Sequence, residues 1–147
     1  MSMIAIIRLK GRFSISPDVE NTLTNLKLDK LYACTLVPST ESYRGMLQTC
    51  KDVVSFGEVE KETISLLLSR RGKTADGKKL SASKKPEEIV KLASEIAVGS
   101  KKLSDFKVLP MFFLAPARGG FGARKMPAPY GPVGKNVHIS ELIARMA

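Results

Sequence analysis

The chain has 147 residues, 44% of them hydrophobic: one domain's worth of sequence, with enough apolar material for an ordinary core, which excludes disorder throughout. Its formal charge of +10 asks for an anionic partner, and no apolar run approaches the ~20 residues of a membrane helix. Ile4, Ala5, Ile6 and Ile7 run straight into Arg8 and Lys10, which is not a signal-peptide layout, so a cytoplasmic protein is expected.

The opening MIAIIRLKGRF reads as a strand from Met3, with Ile4, Ile6 and Leu9 set against Ala5, Ile7 and Arg8, closed by a Lys10-Gly11-Arg12 turn. So dense an aliphatic run suits an internal position in a sheet. Ser16-Pro17-Asp18 then starts a helix with a cap residue, a first-turn proline and an acid at the positive pole; Val19, Leu23 and Leu26 form its buried stripe. A second strand begins at Tyr32, carries Cys34, Leu36 and Val37, and stops at Pro38. Ser39, Thr40 and Glu41 cap the next helix, whose Tyr43, Met46, Leu47 and Cys50 fall on one face. Its opposite face presents Arg44, Gln48 and Lys51, a set suited to gripping an anion. Gly45 costs roughly 1 kcal/mol in a helix relative to Ala. Close approach of another backbone, or of a ligand, would account for it. Val53 to Val59 is a third strand.

Lys61 to Arg71 forms a helix with Ile64, Leu67 and Leu68 inward and Arg70-Arg71-Gly72 as a cationic, glycine-stopped end. The basic run that follows, with Lys73, Lys78 and Lys79 around an Asp76-Gly77 turn, reads as a loop. Pro86 opens a helix whose Ile89, Leu92, Ala93 and Ile96 pack inward until Gly99. Met111 to Leu114 is a short strand between Pro110 and Pro116. Next come Arg118, Gly119, Gly120, Phe121, Gly122, Arg124 and Lys125: glycines for positive φ, arginines for phosphate, and Phe121 or Tyr130 to stack on an unpaired base. A last helix puts Ile139, Leu142, Ile143 and Met146 on one face and docks on the body.

Charge placement is more informative than its total. Residues 1–68 balance, whereas residues 69–85 and 99–135 each hold seven basic and one acidic side chain. Both segments lack helical periodicity, so they read as flexible cationic arms able to follow an irregular polyanion. A lipid surface is a poorer match, because membrane-binding basic segments bring an apolar helical face in register.

Residues 37–58, VPSTESYRGMLQTCKDVVSFGE, preceded by a strand, a helix and a strand, closely resemble the L-thirty family of large-subunit ribosomal proteins in its longer archaeal form. The shared Thr-x-x-x-Arg-Gly-Met core is here Thr40, Arg44, Gly45 and Met46; Pro116, Arg118, Gly119, Gly120 and Phe121 match a Pro-x-Arg-Gly-Gly-Phe element of archaeal members. Shorter bacterial relatives are similar only over residues 3 to about 60. The resemblance implies an α+β fold: a two-layer βαβαβ core over residues 1–60, with a small, mostly antiparallel three-stranded sheet and helices on one face. Residues 61–147 would be a helical, loop-rich extension packed on that core. It also implies large-subunit rRNA as the main partner, with 5S rRNA and neighbouring ribosomal proteins as candidates.

Nothing in the chain suggests catalysis. No GxxxxGK[ST] loop or Gly-x-Gly-x-x-Gly follows a strand, the carboxylates stand singly, and His138 is a surface or cap residue. Cys34 and Cys50 occupy apolar positions, so packing in a reduced compartment is their expected role. The expectation is therefore a structural constituent of the large ribosomal subunit in the cytoplasm, with no cofactor, metal, membrane or small-molecule substrate. RNA would be met by Arg8, Lys10, Arg12, Thr40, Tyr43, Arg44, Gly45, Gln48, Lys51, Arg70, Arg71, Lys73, Lys78, Lys79, Arg118, Gly119, Gly120, Phe121, Arg124 and Lys125. The alternatives are a ribosome-independent RNA-binding regulator or chaperone, and an enzyme using the Gly119 loop as an anion site.

Overall fold

Six consecutive buried side chains in one strand require cover on both faces of the sheet around it, and this condition organises the molecule. The computed structural model describes residues 2–11, 13, 15–99, 103–120 and 133–147. In it β1 (Met3–Arg8) is buried at every position. The other strands are β2 (Ala33–Pro38), β3 (Val54–Val59), β4 (Met111–Phe113) and β5 (Gly134–Lys135), and the sheet order is β4-β2-β1-β3-β5. β1 pairs antiparallel with β2 and β3, β4 antiparallel with β2, and β5 parallel with β3.

Period-two alternation then divides the core in two. Ile4, Ile6, Ala33, Val37 and Val54 face α1 (Pro17–Asn25) and α2 (Glu41–Cys50), which contribute Leu23, Leu47 and Cys50. Met3, Ala5, Ile7, Cys34, Leu36 and Phe112 face the other way. They meet Ile64, Leu67 and Leu68 of α3 (Lys61–Arg71), Leu80 of α4 (Leu80–Ser83), Ile89 and Ile96 of α5 (Pro86–Val98), and Ile139 and Ile143 of α6 (Ile139–Met146). Each fully buried aliphatic side chain contributes about 1.5–3 kcal/mol.

The expected three-stranded sheet is thus a five-stranded mixed one, and the two layers are three. The core helices do share a face; the chain after residue 60 covers the second face and supplies both edge strands. Those strands are only three and two residues long, too short for alternation to reveal β5. Leu9 also sits with Ala5 and Ile7, not with Ile4 and Ile6, as strict alternation demands.

Helix ends follow local chemistry. Thr40 caps α2, its hydroxyl accepting from the Tyr43 N–H at 3.5 Å. Gly99 ends α5 in the left-handed conformation at φ 79°, which a side chain rarely adopts. The two cysteines are buried and free, Cys34 on one face of the sheet and Cys50 on the other. Burial pushes the Cys34 thiol from 9.0 up to about 12. Because the folded state holds this proton more tightly, its contribution to stability is present below pH 9.0 and is lost as pH rises toward about 12. Native protein at pH 8 is expected to leave Cys34 unmodified by an aromatic disulfide reagent that labels both thiols in denaturant; rapid native labelling would show the strand to be open.

Candidate nucleic-acid interface

The first basic segment is not a free arm. Lys73 and Lys79 bridge across a small hairpin whose turn holds Gly77 at φ 83°, with the Gly77 N–H donating to the Thr74 carbonyl at 2.9 Å. The Ala75 N–H donates to the Lys107 carbonyl and the Leu109 N–H to the Lys73 carbonyl, both at 2.9 Å, which ties the hairpin to the stretch leading into β4. Leu80, fully buried, anchors its far end. Sequence reading took lysine density as looseness, whereas backbone bonds and one leucine hold the turn in place.

At the β4 edge this hairpin meets the end of α3 and the 117–120 turn. Arg70, Arg71, Gly72, Lys73, Lys79, Phe113, Arg118 and Ala147 line a cavity of about 540 Å³. None of its five cationic side chains has a carboxylate partner among the described residues. Phe113 forms a floor whose ring carries two ammonium groups, Lys30 Nζ at 5.3 Å and Lys73 Nζ at 5.9 Å from its centroid. Arg118 is set by α6: its N–H donates to the Arg145 carbonyl at 3.2 Å, and Arg145 Nε donates to the Arg118 carbonyl at 2.8 Å. Arg145 Nη2 also donates to the Gly120 carbonyl, and Gly119 and Gly120 take φ 79° and 81°, as a glycine pair in a turn can. Five cationic side chains held together with no acidic side chain among them repel one another, and a polyanion relieves that repulsion.

A second cavity, of about 740 Å³, lies at the opposite edge, between α2 and the β3–β5 pair. Arg44, Gln48, Lys135 and Asn136 supply its polar groups, Leu47, Phe56 and Val137 its apolar wall, and Glu58 one carboxylate. Arg44 is exposed and donates to the Ser39 hydroxyl at 3.0 Å. Gly45 is exposed as well, and a Cβ there would meet nothing within 4 Å. Tight packing of a neighbouring strand is therefore not what places a glycine in this helix.

The remaining expected contact residues divide clearly. Arg8 requires correction: it is 2% exposed, its Nη1 donating to the Leu28 carbonyl at 2.7 Å and its Nε to the Lys10 carbonyl at 2.9 Å. It faces inward because alternation in β1 places it on the side of Ile4 and Ile6. Thr40 is a helix cap, and Tyr43 is half-buried against the α1–α2 core. Lys51 and Lys78 are exposed outside the two cavities, and Lys10 is half-buried. Arg12, Phe121, Arg124, Lys125 and Tyr130 lie outside the described residues. Sequence reasoning missed Lys30, Phe113, Lys135, Asn136 and Arg145. The doubled aromatic Phe112-Phe113 was a usable signal, since alternation must send the two rings to opposite faces of the sheet. Asn136 had none; its backbone N–H donates to the Phe56 carbonyl at 2.8 Å and its Oδ1 accepts from the His138 N–H at 2.9 Å, joining β5 to α6.

Fold and surface together define a small α+β protein with a covered mixed sheet and a group of cationic side chains at each edge of that sheet. Residues 4–54 match the family model described as ribosomal protein L30p/L7e. Three similar chains are each named large ribosomal subunit protein uL30. That of Archaeoglobus fulgidus is 36% identical over 151 residues, covering 98% of this chain and 99% of the relative. That of Methanothrix thermoacetophila is 34% identical over 150 residues, with the same coverage. That of Methanococcus maripaludis is 32% identical over 155 residues, 97% of each chain. The chain belongs to the L30p/L7e family of ribosomal proteins.

Proposed function

We propose that this chain is a structural constituent of the large ribosomal subunit that binds and stabilises folded rRNA during assembly and translation, on the ribosome in the cytoplasm. The observation that carries the reading is the cavity at the β4 edge, where cations from residues 70–79 and from Arg118 converge with no acidic side chain among the residues lining it. Phosphates drawn into it release condensed counterions, which supplies much of the binding free energy and makes binding salt-dependent. Backbone shape, more than sequence, is what such a surface reads. Large-subunit rRNA is the main partner, with 5S rRNA and adjacent ribosomal proteins as further ones. Lys10, Arg12, Lys51, Lys78, Phe121, Arg124 and Lys125 belong to the same contact set, Gly45 lets RNA approach the α2 backbone, and no catalytic step is assigned. Residues 1–60 act as the unit common to short and long members of the family, and residues 61–147 as the extension that reaches RNA and neighbouring proteins.

Cosedimentation with large subunits that survives moderate salt is the expected result; a protein found only in the free RNA-bound pool would be a regulator instead. Arg44→Ala is expected to reduce occupancy in purified subunits several-fold while changing stability by no more than about 0.5 kcal/mol, since the side chain is exposed and bonded to one surface hydroxyl. Unchanged occupancy would remove Arg44 from the interface.

A further inference from the structure

One residue lining the β4-edge cavity is not needed to hold phosphate. Phe113 follows the buried Phe112 in β4, so alternation sends its ring to the other side of the sheet, where it is half-buried against the α1–α2 core. The rest of the ring lines the cavity with Arg70, Arg71, Lys79 and Arg118. Lys30, from the turn before β2, and Lys73, from the hairpin after α3, bring their ammonium groups over it at 5.3 Å and 5.9 Å. Cations from separate segments of the chain thus surround one aromatic surface.

Phosphate contact alone would not call for that ring. A duplex offers its phosphates and sugars and keeps its base faces stacked inside, so lysines and arginines suffice to hold it. An unpaired nucleotide offers a phosphate and a free π-face together, and cations around an aromatic platform match both. The volume agrees. About 540 Å³ falls within the ~300–1,000 Å³ of small-ligand sites, which admits one extruded nucleotide, whereas a duplex could only lie across the opening. An ammonium over an exposed ring is held weakly, while stacking of a base on an aromatic side chain is worth roughly five- to a hundredfold in affinity. Lysine stems are flexible, so both ammonium groups can leave the ring for the incoming phosphates as the base takes their place.

We propose that the β4-edge cavity binds an unpaired nucleotide, its base stacked on Phe113 and its phosphates held by Arg70, Arg71, Lys79 and Arg118. Phe113 thereby makes the site select a bulged or looped RNA segment over a continuous duplex. The inference rests on the RNA-binding reading above and names the RNA feature that this cavity takes.

The test uses the full chain and two RNA hairpins of equal phosphate number, one with a single bulged adenosine and the other with an abasic residue at the same place. They differ only in the base. The wild-type chain is expected to bind the adenosine hairpin at least ~fivefold more tightly, with equal salt slopes because the phosphates are equal in number. Phe113→Leu keeps an apolar side chain against the α1–α2 core and is expected to bring the two affinities within ~twofold, whereas Phe113→Tyr keeps the preference. Far-UV circular dichroism checks that both variants fold. The chain has no tryptophan, so Phe113→Trp adds a single indole, whose fluorescence the adenosine hairpin is expected to quench and the abasic one to leave nearly unchanged. Equal wild-type affinity for the two hairpins, a preference that survives in Phe113→Leu, or an equal indole response to both would overturn the assignment. A wild-type chain that captures neither hairpin would overturn the RNA-binding reading itself.

Discussion

Arg8→Ala is expected to lower the unfolding free energy by about 3 kcal/mol while leaving RNA capture by the folded fraction unchanged. Two short bonds run from this guanidinium to the Leu28 and Lys10 carbonyls. Hydrogen bonds to a charged group are worth about 1.5–3 kcal/mol each, and truncation also strands buried carbonyls and removes a packed side chain. Both carbonyls belong to chain reversals, one leaving β1 and the other leading into β2, so the arginine joins segments that would otherwise part. Urea denaturation measures the loss, and filter binding of the folded protein to RNA measures what remains. The paired comparison is Arg44→Ala, expected to show the reverse: stability kept, incorporation reduced. A shift below about 1 kcal/mol with RNA binding lost would return Arg8 to the surface role that its position among basic residues first suggested.

Gly57→Val is expected to cost about 2 to 3 kcal/mol and to loosen α6. In β3, Gly57 pairs with Ala5, and this pair of small residues leaves a notch on the sheet that receives the start of α6. A Cβ built on Gly57 would collide with the Asn136 carbonyl oxygen and with the Ile139 side chain. The first is backbone and cannot rotate away, so the helix start must lift, with the cost of an overpacked core. Hydrogen exchange should rise in α6 before it rises in β1, because α6 is the element displaced. A variant as stable as wild type, with α6 amides equally protected, would show that the notch is not needed. Gly45, by contrast, stands in open space; alanine there should leave the fold intact or strengthen α2 slightly.

Much of this architecture was legible along the chain because its signals are local. Pro17 and Pro86 open helices, Thr40 caps one and Gly99 closes another. The apolar run of β1 announced a strand internal to the sheet. The hydrophobic stripe of the last helix foretold its docking. For the same reason Arg44 and Gln48 were seen together, since four residues along a helix share a face, whereas Lys51 caps the helix end outside their cavity.

Other features depend on distance across the fold. Arg118 meets Arg70, Arg71, Lys73 and Lys79 only because β4 adds to the sheet beside β2 and α6 pins the following turn. Lys135 reaches the Arg44 face only because two residues pair with β3. No periodicity marks either event. Charge in the sequence counted Arg8 with the surface cations, and tertiary packing put it inside, since a basic residue in a strand takes whichever side alternation assigns.

The sequence by itself determined the longer helices and strands, which stripes are apolar, and that the surplus charge lies after residue 68, because caps, prolines and periodic side chains act over a few residues. Only the tertiary structure decided that the sheet has five strands with both faces covered, and that a group of cations gathers at each of its two edges. Those outcomes arise from long-range pairing, where partners far apart in the chain are chosen by burial of whole faces and by shape.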